Sequence, residues 1–297
     1  MNAPTTDAPA TRSRFVRVDG MRTHYLDAGD GPIVVLLHSG EFGGCAELSW
    51  EHTIPYLAPR YRVVAPDWLG FGKTDKLHDF ASARGRMLAH MRRFLETMCI
   101  EEAHFVGSSM AGSMLLSLAA ERDPGFPMRS LVAASGGGFV PNNEARQIVQ
   151  AYDCSLESMR QAVAMLFHDP RWPADDAYVE RRFQISLDTG AWECAAAARF
   201  RAPVRPASSA FGRPDDTPYE RIDVPALLIA GADDKLREPG YAPAVAARIP
   251  DGVAEVLPDC GHLPNVEQAA EFNRLVGSFL DRVERDSNDT VDDSRAA

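Results

Sequence analysis

The chain has 297 residues, 45% of them hydrophobic, enough for one large domain carrying an insertion. A formal net charge of −11 argues against nucleic acid and anionic membrane as partners, and no apolar run approaches the roughly 18 residues a membrane span needs. The five cysteines (Cys45, Cys99, Cys154, Cys194, Cys260) are scattered with no CxxC pair, which argues against a disulfide framework or a Cys-rich zinc site and fits a reducing cytoplasm.

Residues 1–13, whose first eleven are rich in Pro, Thr and Ala, read as a disordered tail; a basic start followed by an apolar stretch, the mark of a secretory signal, is missing. A hairpin follows: Phe15 to Val18 alternates, Asp19-Gly20 turns, and Met21 to Leu26 alternates again. Ile33-Val34-Val35-Leu36-Leu37 is a continuous apolar run of the kind buried on both faces of a sheet. Similar runs recur at 61–65, 104–106, 131–134, 226–230 and 254–257, each followed by Gly, Pro or Ser. Between them lie helical patterns at 80–98, 110–120 and 265–283, the last with Phe272, Leu275, Val276, Phe279 and Leu280 on one stripe. Strands alternating with helices predict a mostly parallel eight-stranded α/β sheet flanked by helices. The core divides into 14–136 and 219–283. Between them, 137–218 lacks strand-like runs and holds helical segments at 144–152, 155–167, 175–186 and 191–200, closing on Ala202-Pro203-Val204-Arg205-Pro206. This stretch reads as a helical lid inserted after the sixth strand. Residues 284–297 read as a disordered acidic tail.

The strongest local signal is Val106-Gly107-Ser108-Ser109-Met110-Ala111-Gly112, between a strand and a helix. That context suits a nucleophile elbow, where a serine sits on a tight turn flanked by small residues. Ser109 is the nucleophile of this reading, with Gly107 and Ala111 as the small neighbours. The backbone N–H of Met110, at the start of the helix, is one oxyanion donor. An unassisted serine is a poor nucleophile and needs a base. His262, in Asp259-Cys260-Gly261-His262-Leu263-Pro264, follows the last strand and can face the same edge of the sheet. The acid that orients it is Asp234, three residues after Gly231, with the adjacent Asp233 as the alternative. The loop Leu37-His38-Ser39-Gly40-Glu41-Phe42-Gly43-Gly44 offers the second oxyanion donor at Gly40, with His38 holding the loop. No metal or cofactor is required by this chemistry, and the partner is a small-molecule substrate; a homo-oligomer stays open.

The chain order Ser, Asp, His, and the segment Ala65 to Asp75 with its Gly70-Phe71-Gly72, resemble the α/β-hydrolase superfamily from about residue 15 to 283. Asp67 is structural in that resemblance. Haloalkane dehalogenases and epoxide hydrolases share the Gly-Phe-Gly segment, but both use Asp where this chain has Ser109. The elbow Gly-Ser-Ser-Met-Ala-Gly, the segment Cys260-Gly261-His262 with Glu271 to Val276, and Arg181-Arg182-Phe183 in the insertion resemble the meta-cleavage-product hydrolases. That family splits a carbon–carbon bond in vinylogous 1,5-diketones from aromatic ring cleavage. The resemblance implies that Arg182 anchors a dienoate carboxylate and that Ser39, Ser108, Phe183 and Leu263 line the substrate pocket. A solvated helix position among charges is the other reading of Arg182. Ser108, Leu263 and the His-Ser-Gly-Glu-Phe-Gly-Gly loop depart from the family's usual Asn, Trp and Gly-Gly-Gly-Pro-Gly. A carboxylesterase or lactonase with the same triad is the alternative function; a cofactor-free oxygenase or a non-catalytic receptor on this fold is a third.

Overall fold

The computed structural model describes residues 9–197 and 211–296. The expected runs form one eight-stranded sheet: β1 (Arg12–Val18), β2 (Met21–Ala28), β3 (Ile33–Leu37), β4 (Arg62–Pro66), β5 (Ala103–Ser108), β6 (Met128–Ala134), β7 (Ala226–Gly231) and β8 (Gly252–Leu257). Their order is β1-β2-β4-β3-β5-β6-β7-β8, with β2 antiparallel to both neighbours and the remaining pairs parallel. The Asp19-Gly20 turn works because both residues take positive φ, 47° and 83°, as a two-residue hairpin turn with right-handed strand twist requires.

Helices α1 (Ala46–Trp50), α2 (Thr53–Leu57), α3 (Ala83–Thr97) and α4 (Met110–Ala119) lie in the first half of the chain. Helices α5 (Glu144–Gln150), α6 (Leu156–Leu166), α7 (Arg171–Ala174), α8 (Asp176–Ser186) and α9 (Ala191–Ala196) fall between β6 and β7. Then come α10 (Tyr241–Ala246), α11 (Pro264–Glu267) and α12 (Ala269–Ala296). Strand alternation sends Val34 and Leu36 to one face, where Trp50, Ile54, Leu57, Phe272 and Val276 cover them. Val35 and Leu37 go to the other, under Met91 and Phe94 of α3 and Leu115 and Leu118 of α4. Both faces are dry, which is why β3 reads as an unbroken apolar run.

Three differences from the sequence reading have local causes. The helix expected over 265–283 is two: Gln268, at φ −124° and ψ 49°, interrupts it, and its side-chain amide bonds the carbonyls of Pro258 and Asp259. Beyond residue 283, where a tail without structure was expected, α12 continues; Glu284 of its extension accepts a hydrogen bond from the buried His104, Nε2 to Oε1 2.8 Å. The inserted stretch gains the single turn α7, while the Pro203 and Pro206 segment and the end of the helix expected at 191–200 lie outside the described residues.

Candidate active site

Ser109 sits between β5 and α4 at φ 52° and ψ −107°, a backbone conformation that non-glycine residues rarely hold and that costs on the order of 1–3 kcal/mol. Packing enforces it. The Ser109 N–H donates to the Ala134 carbonyl at the end of β6, 2.6 Å away, and the Ser109 carbonyl receives the Ser113 N–H a turn later. A Cβ on Gly107 would lie 2.7 Å from the Ala111 carbonyl carbon and the Gly112 nitrogen, so strand and helix close only over a glycine there. Ala111 is fully buried and its methyl is tolerated.

His262 and Asp234 arrive from the loops after β8 and β7. Ser109 Oγ lies 2.6 Å from His262 Nε2, and His262 Nδ1 lies 2.7 Å from Asp234 Oδ2. The other Asp234 oxygen accepts the Leu236 N–H at 2.8 Å, fixing the carboxylate plane. Asp233 points outward, 3.7 Å from His168, so the carboxylate that reaches the imidazole is Asp234. The His262 N–H is held by the Leu166 carbonyl of α6 at 2.7 Å, and Glu267 accepts the N–H groups of Gly261, His168 and Asp169. The base loop is thereby tied to the inserted helices. Sequence reading missed Glu267 because its partners lie in a different segment.

Met110 opens α4, so its N–H has no carbonyl a turn back to bond and is free for a ligand. Gly40 packs against it: a Cβ there would meet Met110 Sδ at 2.6 Å. His38 holds that loop as expected. Its Nδ1 bonds the Ser39 carbonyl, its Nε2 accepts the Trp68 N–H, and burial keeps its pKa below the ordinary value. Asp67 is structural too, accepting the Ala46 and Lys73 N–H groups and pairing with His24.

The residues expected to line the pocket fare unevenly. Ser39 is buried and its hydroxyl donates to Glu41 Oε1 at 2.6 Å. Ser108 is buried beneath the elbow and donates to Asn265 Oδ1 at 3.3 Å; Asn265 in turn donates to the Ser49 carbonyl. Leu263 joins an apolar cluster with Phe42, Leu236, Met159, Val163 and Tyr178, against which Phe183 is half-buried. That cluster joins the loops bearing Gly40, Asp234 and His262 to α6 and α8. Arg182 is not a solvated residue: its side chain is 1% exposed. Nor is it an open carboxylate site. Its Nη2 lies 2.8 Å from Glu41 Oε1 in an ion pair without good hydrogen-bond alignment, and its Nη1 donates to the Tyr178 hydroxyl at 3.2 Å. Burial pushes the Glu41 carboxyl up, but the Arg182 charge and the Ser39 hydroxyl outweigh it and hold the group below the usual carboxylate range. Glu41 was visible in the sequence as a departure in the loop; its partner was not. One grouping of metal-ligand type occurs among the described residues, His168, Asp233 and Asp259, with one ligand atom of each within 4.8 Å of the others; all three are exposed, and it lies apart from the Ser109–His262–Asp234 contacts.

Comparison with known proteins agrees with this geometry. The model of the alpha/beta hydrolase family matches residues 34–275. The chain is 32% identical to a 2-hydroxy-6-oxo-6-(2'-aminophenyl)hexa-2,4-dienoic acid hydrolase of Metapseudomonas resinovorans, with 91% of each chain covered. It is also 32% identical to a 2-hydroxymuconate semialdehyde hydrolase of Pseudomonas sp. strain CF600, covering 94% of this chain and 97% of that one. Among solved structures, a serine hydrolase involved in carbazole degradation superposes with a TM-score of 0.76 at 30% identity, over 92% of this chain and 99% of that one. The sheet order, the serine on its strained turn and these relatives together show that the chain belongs to the alpha/beta hydrolase family, among its meta-cleavage-product hydrolases.

Proposed function

We propose that the protein hydrolyses a carbon–carbon bond in a ring-fission product, a vinylogous 1,5-diketone derived from an aromatic ring. The observation that carries this is the contact chain Ser109–His262–Asp234, at 2.6 and 2.7 Å, in a chain whose relatives act on such dienoates. Asp234 holds His262 with Nδ1–H toward the carboxylate, leaving the Nε2 lone pair to take the Ser109 proton. After the dienol is ketonised at the site, Ser109 Oγ attacks the carbonyl carbon. The developing oxyanion is met by the N–H groups of Met110 and Gly40. As the carbon–carbon bond breaks, the His262 proton goes to the departing carbon and an acyl-serine remains. His262 then draws a proton from water, which attacks the acyl group and frees the acid. Helices α5 to α9 act as a lid on this reading, with Ser39, Phe183 and Leu263 lining the substrate pocket beneath it. The scattered cysteines, with no CxxC pair and with Cys45 and Cys260 buried, support a cytoplasmic enzyme.

The test is cleavage of a ring-fission dienoate against a short aryl ester, followed by its absorbance. S109A and H262A are each expected to lower turnover of the dienoate by roughly three orders of magnitude or more with circular dichroism unchanged. A wild-type enzyme that turns over the ester and leaves the dienoate intact would replace the reading with a carboxylesterase.

A further inference from the structure

Two guanidinium groups are buried among the loops and helices that join the triad, and they differ in one respect. Arg182 has a counter-charge, Glu41. Arg237, three residues past Asp234 on the same loop, is 6% exposed, and its Nε and Nη2 have no hydrogen-bond partner. It stacks on Tyr241, Cζ 4.2 Å from the ring centroid. The Tyr241 hydroxyl is buried within reach of the Ser135 hydroxyl and the Arg237 guanidinium, although none of these contacts is a well-aligned hydrogen bond. Ser135 directly follows Ala134, the residue whose carbonyl holds the Ser109 N–H. Nη2 also borders the loop after β6, 3.6 Å from where a Gly138 Cβ would stand. Arg146 of α5 adds a second positive charge close by: burial, with repulsion from Arg237, pulls it down to about 10. The negative charge felt here is Asp234, whose oxygens are committed to His262 and Leu236. Two guanidinium nitrogens without an aligned partner, two hydroxyls and an excess of positive charge thus converge at the ends of β6 and β7. A buried guanidinium edge left unpaired is costly, and with neighbouring hydroxyls it matches a planar, bidentate anion.

We propose that Arg237, Tyr241 and Ser135 form a carboxylate subsite on the Asp234 side of the triad. It takes a carboxylate at the far end of the substrate or the carboxylate of the released acid. The proposal rests on the hydrolase reading above but not on which bond is cut. Its test therefore uses esters, which the same triad handles even if carbon–carbon cleavage fails.

In the full-length protein, kcat/KM is compared for the mono-para-nitrophenyl ester of glutaric acid, with a free far carboxylate, and para-nitrophenyl pentanoate, its uncharged counterpart. Wild type is expected to favour the anionic ester roughly tenfold or more, the value of one charge-assisted bond, and R237M to bring the ratio near one. Y241F, which removes one hydroxyl and keeps the ring, is expected to lose part of the preference and covers the case in which R237M does not fold. Benzoate affinity, measured by calorimetry without turnover, reads the other source. A roughly tenfold weakening in R237M with no substrate preference in wild type assigns the subsite to the released acid. Ratios and benzoate affinities that stay at wild-type values in folded R237M and Y241F, or that collapse in R182M and not in R237M, overturn the proposal.

Discussion

A buried ion pair is strong or weak depending on which member is removed. Glu41 and Arg182 each lose hydration that their mutual attraction, the Ser39 hydroxyl and the Tyr178 hydroxyl replace. Removing Arg182 alone strands a buried carboxylate, which typically costs about 3–5 kcal/mol. R182M is therefore expected to unfold in urea with a loss in that range, and E41Q/R182M to recover more than half of it. A double-mutant cycle in which the two changes simply add would show that the pair is not coupled. The pair also bears on substrate choice, because a carboxylate reaching Arg182 meets a guanidinium that already has its counter-charge. At this scale the sequence reading reached far for the triad and short for its surroundings. Ser109, Asp234 and His262 each follow a strand, so local pattern located them. Glu41–Arg182, Ser108–Asn265 and Glu267 with its three N–H donors join segments distant in the chain, and nothing local marks such pairings.

The elbow is a single element made from a strand end, a strained serine and the first turn of α4. Its strain persists because the Ala134 carbonyl and the Gly107 contact leave the backbone no other path. A side chain at Gly107 would drive a Cβ into Ala111 and Gly112 backbone, which cannot rotate away as a flexible side chain could. G107V is expected to cost upward of about 3 kcal/mol and to abolish turnover, read by thermal unfolding and ester hydrolysis together. Wild-type melting in that variant would mean that strand and helix can separate without loss. The same closeness made the motif readable, since small residues around a serine between a strand and a helix have few other uses. Helix ends were less legible. The break at Gln268 depends on carbonyls of the preceding loop, and the extension of α12 past Val283 begins with a Glu284–His104 contact that only the folded sheet creates.

At the scale of the whole molecule, three buried histidines and two buried carboxylates are shifted in the same direction. Burial keeps His38 and His90 below the ordinary histidine value of 6.5, and burial does the same for His104 despite its bond to Glu284. For Asp67, burial works to raise the carboxyl, but the His24 bond and charge and the Ala46 N–H outweigh it and hold it below 3.8; Glu41 is held below 4.5. In every case the folded value lies under the unfolded one, so the unfolded chain binds more protons as pH falls. The stability they contribute is complete above about pH 6.5, declines first through the histidines and again below about pH 4.5 through the carboxylates. Each such proton contributes a slope of up to about 1.4 kcal/mol per pH unit. The net charge of −11 acts the other way, because protonating surface carboxylates relieves repulsion. That relief is screened by salt, whereas the buried groups are not, so at 0.15 M salt the buried groups set the sign. The melting temperature is expected to be level from pH 8 to 7, to fall below 6.5 and to fall more steeply below 4.5. H90Q, away from the triad, should flatten the first decline. Melting that rises from pH 6.5 to 4.5 would show instead that surface repulsion governs acid stability in this protein.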